Sequence, residues 1–260
     1  MIRRLNALGV PALLMVSMLA LVGCQSKTAR LEDADSLNTA STTPATFSKA
    51  SELGTRWGGD KSNIALGLAY ADSLEKVGQS DQQLSVLKTL SDQNPDNEKV
   101  QAIYGRKILA NGQAAEAVPV LLALTNRPTP DWRNFSALGS AYDQQSKYPE
   151  ARDAYKKALT LQPNQISVLN NLGMSYALEG NLKQSETTLR TAIALPLAKS
   201  EPRIRQNLAL VVGLQGRFDE AKQIASEDLP PDQVESNMAY LKKMLAQPNT
   251  WQQLSGNPPG

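Results

Sequence analysis

The feature that most constrains this chain is a self-similarity that recurs every 34 residues through its central part. Five successive frames fit the pattern: residues 64–97, 98–131, 132–165, 166–199 and, after a slip of two residues, 202–235. A repeat of this length is one supersecondary unit, and a single unit cannot bury its own apolar face. Stacked copies must therefore share a core with their neighbours, and the period predicts an elongated array.

Small residues and turn residues recur at fixed positions within each frame. The eighth position is always Gly or Ala, which allows the first helix of a repeat to lie close against the second. The fifteenth position is Gly in four of the five repeats, which fits a left-handed residue at the end of the first helix. In the copy that begins at Trp132, the pattern includes Leu138, Gly139, Tyr142, Ala151, Tyr155, Ala158 and Pro163.

This pattern resembles the tetratricopeptide (TPR) repeat over residues 64–235. The resemblance implies an all-α fold: a TPR α-solenoid of about five helix-turn-helix repeats with a C-terminal capping helix. We expect the first repeat to be the weakest, because Gly67 stands at the fourth position in place of a large residue.

Past the repeats, the two prolines of a Leu-Pro-Pro sequence at 229–231 interrupt the chain. Asp232 and Glu235 have the spacing of a capping box, which predicts a new helix, and we assign 236–247 to a capping helix that covers the last repeat. Residues 248–260 are expected to be a flexible tail, with Trp251 as their one large aromatic residue.

The first 23 residues have the order of an export signal. Arg3 and Arg4 precede an apolar stretch that is short for a transmembrane helix, and small residues lead into Cys24. The sequence Leu-Val-Gly-Cys at 21–24 resembles the bacterial lipobox, which implies cleavage before Cys24 and acyl chains on that residue. Because Gln25 is not Asp, the resemblance also implies sorting to the outer membrane. The alternative is an uncleaved anchor with an incidental cysteine.

Residues 24–63 are expected to form the lipid-bearing cysteine and a flexible tether. The part from 36 to 48 is almost entirely Ser, Thr, Ala and Asn, which cannot bury enough apolar surface to fold. Residues 25–63 could reach up to about 130 Å when stretched. Trp57 interrupts the polar run, and it either docks on the folded array or touches a partner or lipid headgroups.

Composition argues against catalysis and nucleic-acid binding. The chain has no His and a single Cys, which leaves no Ser-His-Asp triad and no thiolate metal cluster. Its 27 basic and 25 acidic residues are nearly balanced, whereas nucleic-acid binding needs a basic face. We therefore predict a protein that is not an enzyme, with no cofactor apart from the acyl chains on Cys24 and no small-molecule substrate.

The resemblance to TPR proteins also implies a concave groove lined by the first helices. In the last two repeats the candidate groove residues are Asn170, Asn171, Met174, Arg203, Gln206, Asn207 and Leu210. An Asn carboxamide has both donors and an acceptor, so it can pair with the backbone of an extended peptide. The alternative is that Asn171 and Asn207 only bond neighbouring helices.

Four segments narrow the resemblance further. They are NNLGMSYA at 170–177, RQNLALVVGLQG at 205–216, DLPP at 228–231 and NMAYL at 237–241. They resemble TadD, the lipoprotein family of the tight-adherence (Tad, or Flp) pilus machine. The resemblance implies a scaffold or pilotin on the periplasmic face of the outer membrane, with the Tad secretin or its associated pilus-assembly proteins as partners. The alternative is a TPR lipoprotein that regulates peptidoglycan synthases or serves outer-membrane protein assembly.

Overall fold

A computed structural model describes residues 44–246 of the chain. The predicted signal peptide, Cys24, the first part of the tether and the predicted tail lie outside the described residues. Within 44–246 the chain forms twelve α-helices and a short 3-10 helix, with no strand.

Ten of these helices form five antiparallel pairs. The first helices of the pairs begin at residues 64, 98, 132, 166 and 202, which are the first residues of the five predicted frames. The pairs are α2 Ile64–Lys76 with α3 Ser80–Gln93, α4 Glu98–Ala110 with α5 Ala114–Thr125, α6 Trp132–Asp143 with α7 Tyr148–Leu161, α8 Ile166–Leu178 with α9 Leu182–Ile193, and α10 Pro202–Leu214 with α11 Phe218–Ala225. The 3-10 helix Pro196–Ser200 lies at the end of the fourth frame and runs into the two-residue slip before the fifth pair.

The turn inside each pair places one residue in the left-handed region. Gly78, Gly112, Gly180 and Gly216 have φ between 74° and 92°, and Ser146 takes the same place in the third repeat with φ of 58°. Glycine adopts this conformation without the Cβ clash that penalises other residues. The predicted left-handed end of the first helix is confirmed, and the third repeat forms it with a strained serine.

Ser146→Gly should stabilise the protein by about 0.5–1 kcal/mol, because it relieves the left-handed strain at some cost in unfolded-state entropy. Urea denaturation measures the change. The reverse exchange in the second repeat, Gly112→Ser, is the control and should destabilise by a similar amount. Lower stability of Ser146→Gly would contradict the assignment.

The small residues at the eighth position bring the two helices of a pair into direct contact. A Cβ added to Gly139 would lie 2.6 Å from the Tyr155 ring, and one added to Gly173 would lie 2.7 Å from Leu189. In the fifth repeat the eighth position is Ala209, which packs in one apolar cluster with another small residue, Ala225 of the second helix. The structure confirms the close approach of the helices and shows that the facing side chain changes size from repeat to repeat.

The tether prediction is wrong for residues 44–59, which form helix α1, Pro44–Gly59. Its Ala50, Leu53 and Trp57 are buried, and the Trp57 ring lies 5.9 Å from the ring of Tyr70. These three residues follow a helical spacing, but a mostly polar composition masked it. Trp57 therefore docks on the array, which was one of the two predicted alternatives.

Gly67 leaves the space that the Trp57 side chain fills, so it does not leave a gap in the first repeat. A Cβ on Gly67 would lie 2.7 Å from Trp57 Nε1 and 2.9 Å from Leu90. The large side chain missing from the fourth position is thus replaced by one that α1 contributes from outside the repeat. The expectation that the first repeat is the weakest loses its structural reason.

Helix α12, Pro231–Leu245, covers the other end of the array through Val234, Met238 and Leu241. It begins five residues before the expected start at 236, because a proline at the first helical position is preorganised for a helix. The capping-box prediction is wrong: Pro230 is the N-cap, and Glu235 pairs with Lys222 of α11.

Candidate functional site

The first helices of the repeats form one continuous surface. Helix α4 contacts α6, α6 contacts α8, and α8 contacts α10, whereas the second helices of neighbouring repeats form no comparable contact in residues 44–246. A stack that is closer on one side curves toward that side. We call the exposed surface of α2, α4, α6, α8 and α10 the inner face, and all seven candidate groove residues lie on α8 or α10.

Three asparagines form a chain of hydrogen bonds across the two last repeats. Asn207 Nδ2 of α10 donates to Asn170 Oδ1 of α8 at 2.7 Å, and Asn170 Nδ2 donates to Asn171 Oδ1 at 3.5 Å. Asn170 is only 9% exposed, whereas Asn171 and Asn207 are half-buried. Asn207 thus bonds a neighbouring helix, as the alternative interpretation expected.

This chain of amides still leaves groups for a ligand. The Nδ2 of Asn171 and the Oδ1 of Asn207 have no hydrogen-bond partner among the described residues. One is a donor and the other an acceptor, and an extended backbone offers the complementary pair of groups. The internal bonds hold both amides in a fixed orientation, which lowers the entropy lost on binding.

The four remaining candidates surround these amides. Met174 and Leu210 are half-buried, at the same position of successive repeats, and Leu210 packs against the core of the last repeats. Arg203 and Gln206 are exposed on the first two turns of α10. The structure therefore joins the asparagines by direct bonds and places the other candidates on the same two helices.

Sequence reasoning missed a buried polar cluster that joins the third and fourth repeats. Asp143 of α6 accepts hydrogen bonds from Ser175 Oγ of α8 at 2.6 Å and from Tyr155 Oη of α7 at 2.8 Å. Ser140 lies 3.1 Å from the same Tyr155 hydroxyl. In the sequence, Asp143 is one of several polar residues at groove-lining positions. Only the packing of three helices shows that its carboxylate forms hydrogen bonds inside the protein.

Burial raises the pKa of Asp143 to about 6, and the hydrogen bonds from Ser175 and Tyr155 oppose this only in part. A carboxyl with a higher pKa in the folded state binds its proton before the unfolded chain does. The protein should therefore gain stability as the pH falls from about 7.5 to about 5, by roughly 1–2 kcal/mol.

Asp143→Asn should remove most of this gain, because the amide carries no charge at either pH. Thermal unfolding at both pH values measures it. Asp153→Asn, at an exposed carboxylate of α7, is the matched control and should keep the pH profile of the parent protein. An unchanged profile in Asp143→Asn would show that this carboxyl does not control the pH dependence.

A second cluster ties the fourth repeat to the fifth. Glu186 of α9 accepts from Arg190 at 2.8 Å, from Gln215 at 2.9 Å and from Arg217. The bond from Arg217 is the main cause that lowers the pKa of Glu186 to about 2. This cluster ties the turn that follows α10 to α9 and so helps to position α10, the helix that carries Asn207.

Around the two-residue slip, Arg205 of α10 pairs with Asp228 and donates to a carbonyl of the 3-10 helix, that of Ala198. These bonds connect α10 to the segments on both sides of it. They help to fix the register of the repeat that contributes four of the seven candidate residues.

The described part of the chain holds neither a cluster suited to a metal nor a helix suited to a bilayer. No three potential metal-ligating side chains come together in residues 44–246. None of the helices in that range combines the length and the hydrophobicity that a membrane crossing requires.

Comparisons with known proteins place these features in a family context. The family described as "TPR repeat" matches residues 139–180, and the family described as "Tetratricopeptide repeat" matches residues 166–197. The first match spans the third and fourth of the five frames, and the second lies within the fourth. No curated protein matches the chain at a significant level.

Several solved structures are similar to the chain. A thermophilic TPR protein of Thermus thermophilus is 23% identical, with a TM-score of 0.55 over 68% of this chain and 97% of its own. MamA of Desulfovibrio magneticus RS-1 is 20% identical, with a TM-score of 0.54 over 61% and 88%. YrrB, described as a TPR protein with an unusual peptide-binding site, is 14% identical, with a TM-score of 0.53 over 75% and 99%.

The helix order, the family matches and these likenesses agree on one fold. Residues 139–197 match tetratricopeptide repeats, and the described part of the chain folds as an all-α TPR solenoid, which confirms the predicted fold class. Repeats of this kind serve as scaffolds for protein-protein interaction.

Proposed function

We propose that this protein is an outer-membrane-anchored scaffold of the pilotin type in Tad (Flp) pilus assembly, and that it supports the assembly or localisation of the secretin. The observation that carries the proposal is the inner face of α8 and α10, where fixed amides with free bonding groups lie among half-buried apolar side chains. The same two helices contain the two longest segments that resemble TadD.

The arrangement suits an extended segment of a partner protein. Asn171 would donate to a backbone carbonyl and Asn207 would accept from a backbone N–H, while Met174 and Leu210 would contact apolar side chains of the segment. Backbone bonds give affinity with little dependence on sequence, and apolar contacts add selectivity.

The anchor completes the proposal. Acyl chains on Cys24 would hold the protein at the periplasmic face of the outer membrane, since two or more chains are needed for stable attachment. No other cofactor enters this function. Binding near the membrane would let the array receive secretin subunits where they assemble.

Deletion of the gene tests the proposal. Fractionation should show little heat-resistant secretin multimer in the outer membrane, and pili should be absent. Complementation with the parent protein should restore both. A multimer that forms at its normal level in the deletion strain would exclude the pilotin role.

The inner face is tested by complementing the same strain with Asn171→Ala together with Asn207→Ala. Because both free amide groups are lost, capture of the secretin in a pull-down should fall at least about tenfold. The matched control removes two exposed amides of the second helices, Gln184→Ala together with Gln223→Ala, and should bind normally. Recovery of peptidoglycan synthases instead of secretin would favour the cell-wall alternative.

A further inference from the structure

The inner face carries an uneven distribution of charge along the array. In a TPR stack the groove is lined by the second, fifth, sixth, ninth, twelfth and thirteenth positions of each first helix. From the second repeat onward the exposed charged side chains at these positions are all cationic: Lys99, Arg106, Arg133 and Arg203. Exposed cations are common on protein surfaces, but here they share one continuous face.

These cations have almost no partners within the chain. Lys99, Arg106 and Arg203 form no ion pair or hydrogen bond with any described residue, and Arg133 pairs only with Asp131. Their charges are therefore available to a ligand.

The guanidinium of Arg106 interacts electrostatically with a second cation, Arg133. Partial burial is the main cause that lowers the pKa of Arg106, although the side chain is exposed overall; Asp131 raises that pKa and Arg133 lowers it. Arg133 is also held over the ring of Trp132, with 4.7 Å between the guanidinium carbon and the ring centroid. Asp131, which pairs with Arg133, is therefore the one carboxylate that also acts electrostatically on Arg106.

The acidic side chain at the groove-lining positions is already engaged. In repeats two to five the one carboxylate at these positions is Asp143, which is occupied by Tyr155 and Ser175. Glu98 stands at the first position of its repeat and pairs with Arg127, beyond the end of α5.

The carboxylates of the first repeat are engaged as well. Asp72 pairs with Lys76 on the same helix, and Glu75 pairs with Lys107 of the second repeat. The first helices thus offer no unengaged carboxylate to balance Lys99.

Repeats four and five add apolar side chains to the inner face, with Arg203 as the one exposed charge at their groove-lining positions. Met174 and Leu178 of α8 and Leu210 and Leu214 of α10 are half-buried at equivalent positions of the fourth and fifth repeats. Side chains of this kind present apolar area that a ligand could remove from water.

We propose that the inner face binds an extended, acidic-apolar segment of a partner protein, with its carboxylates over Lys99 and Arg106 and its apolar side chains over repeats four and five. This inference rests on the scaffold function proposed above and specifies the chemistry of the bound segment. Hydrogen bonds between guanidinium and carboxylate are stronger than neutral ones, so the cationic half sets selectivity against basic segments.

Fluorescence anisotropy with the full mature protein in detergent tests the proposal. The probes are labelled short peptides with glutamates in one half and leucines in the other, prepared in both orders. Matched peptides carry lysine in place of glutamate. The glutamate peptide in its preferred order should bind at least about tenfold more tightly than its lysine counterpart, and salt at about 300 mM should weaken it relative to about 50 mM.

Two double variants distinguish binding at the inner face from a general effect of the protein's positive charge. Lys99→Gln with Arg106→Gln should weaken the glutamate peptide about tenfold, because both positions lose an unpaired cation. Lys156→Gln with Lys183→Gln, at exposed positions of the second helices, removes the same charge and should bind as the parent does. Circular dichroism of both variants should match the parent.

Equal binding of glutamate and lysine peptides, equal losses in the two variants, or no binding of any peptide would overturn this proposal. None of these outcomes changes the amount of secretin multimer expected in the deletion strain. The scaffold function is therefore tested by that strain, independently of the peptide experiment.

Discussion

Cys24→Ala should leave the protein as a full-length precursor that carries no lipid, because a thioether to diacylglycerol requires the sulfur of this one cysteine. If Cys24 carries acyl chains, their loss would remove an apolar contribution to membrane attachment of about 0.8 kcal/mol per buried methylene. We expect loss of radiolabelled palmitate, an unshifted precursor mass, and loss of secretin multimer and pili as complete as in the deletion strain.

Ser26→Ala, two residues from the same site, is the control and should be processed and labelled normally. A Cys24→Ala protein with acid-stable label and the mature mass would remove the lipoprotein assignment. Pili that persist without the lipid would instead show that the array works without an anchor.

Trp57→Ala should cost about 3–5 kcal/mol where α1 packs on the first repeat, because loss of a buried, well-packed aromatic side chain leaves a cavity. The neighbour Gly67 has no side chain that could close it, and the Trp57 ring also packs beside Tyr70. In a repeat array the loss stays near its source. Hydrogen exchange should rise in α1 and α2, with little change in α8 and α10.

Phe47→Ala on the same helix is the matched control. Phe47 is 47% exposed, and its loss should change stability by less than about 0.5 kcal/mol. If both variants leave exchange in α2 unchanged, α1 is not packed on the array, and the original tether prediction applies to it after all.

Local signals predicted the repeats well. The left-handed residue at the fifteenth position and the small residue at the eighth depend on the conformation and packing of one helix pair, and one pair is encoded within 34 residues. Helix α1 was not predicted because its three buried residues occur in a polar segment, where the composition outweighed a short helical period.

The site was harder to predict because its bonds join separate repeats. The bond between Asn207 and Asn170 depends on the register of α10 against α8, which the two-residue slip alters. The same holds for Asp143, whose two partners belong to α7 and α8. A sequence shows which residues face inward, but the pairing of side chains across repeats requires the stack itself.

Helix α1 also changes how far the array could travel from a lipid on Cys24. In the proposed anchored protein only residues 25–43 would connect Cys24 to α1, and a chain of that length spans at most roughly 65 Å, about half the reach of 25–63. For a flexible linker the effective concentration of a tethered site falls roughly as the −3/2 power of linker length, so halving the length would raise it about threefold. A partner at the membrane would then meet the inner face about three times as often, without any new contact.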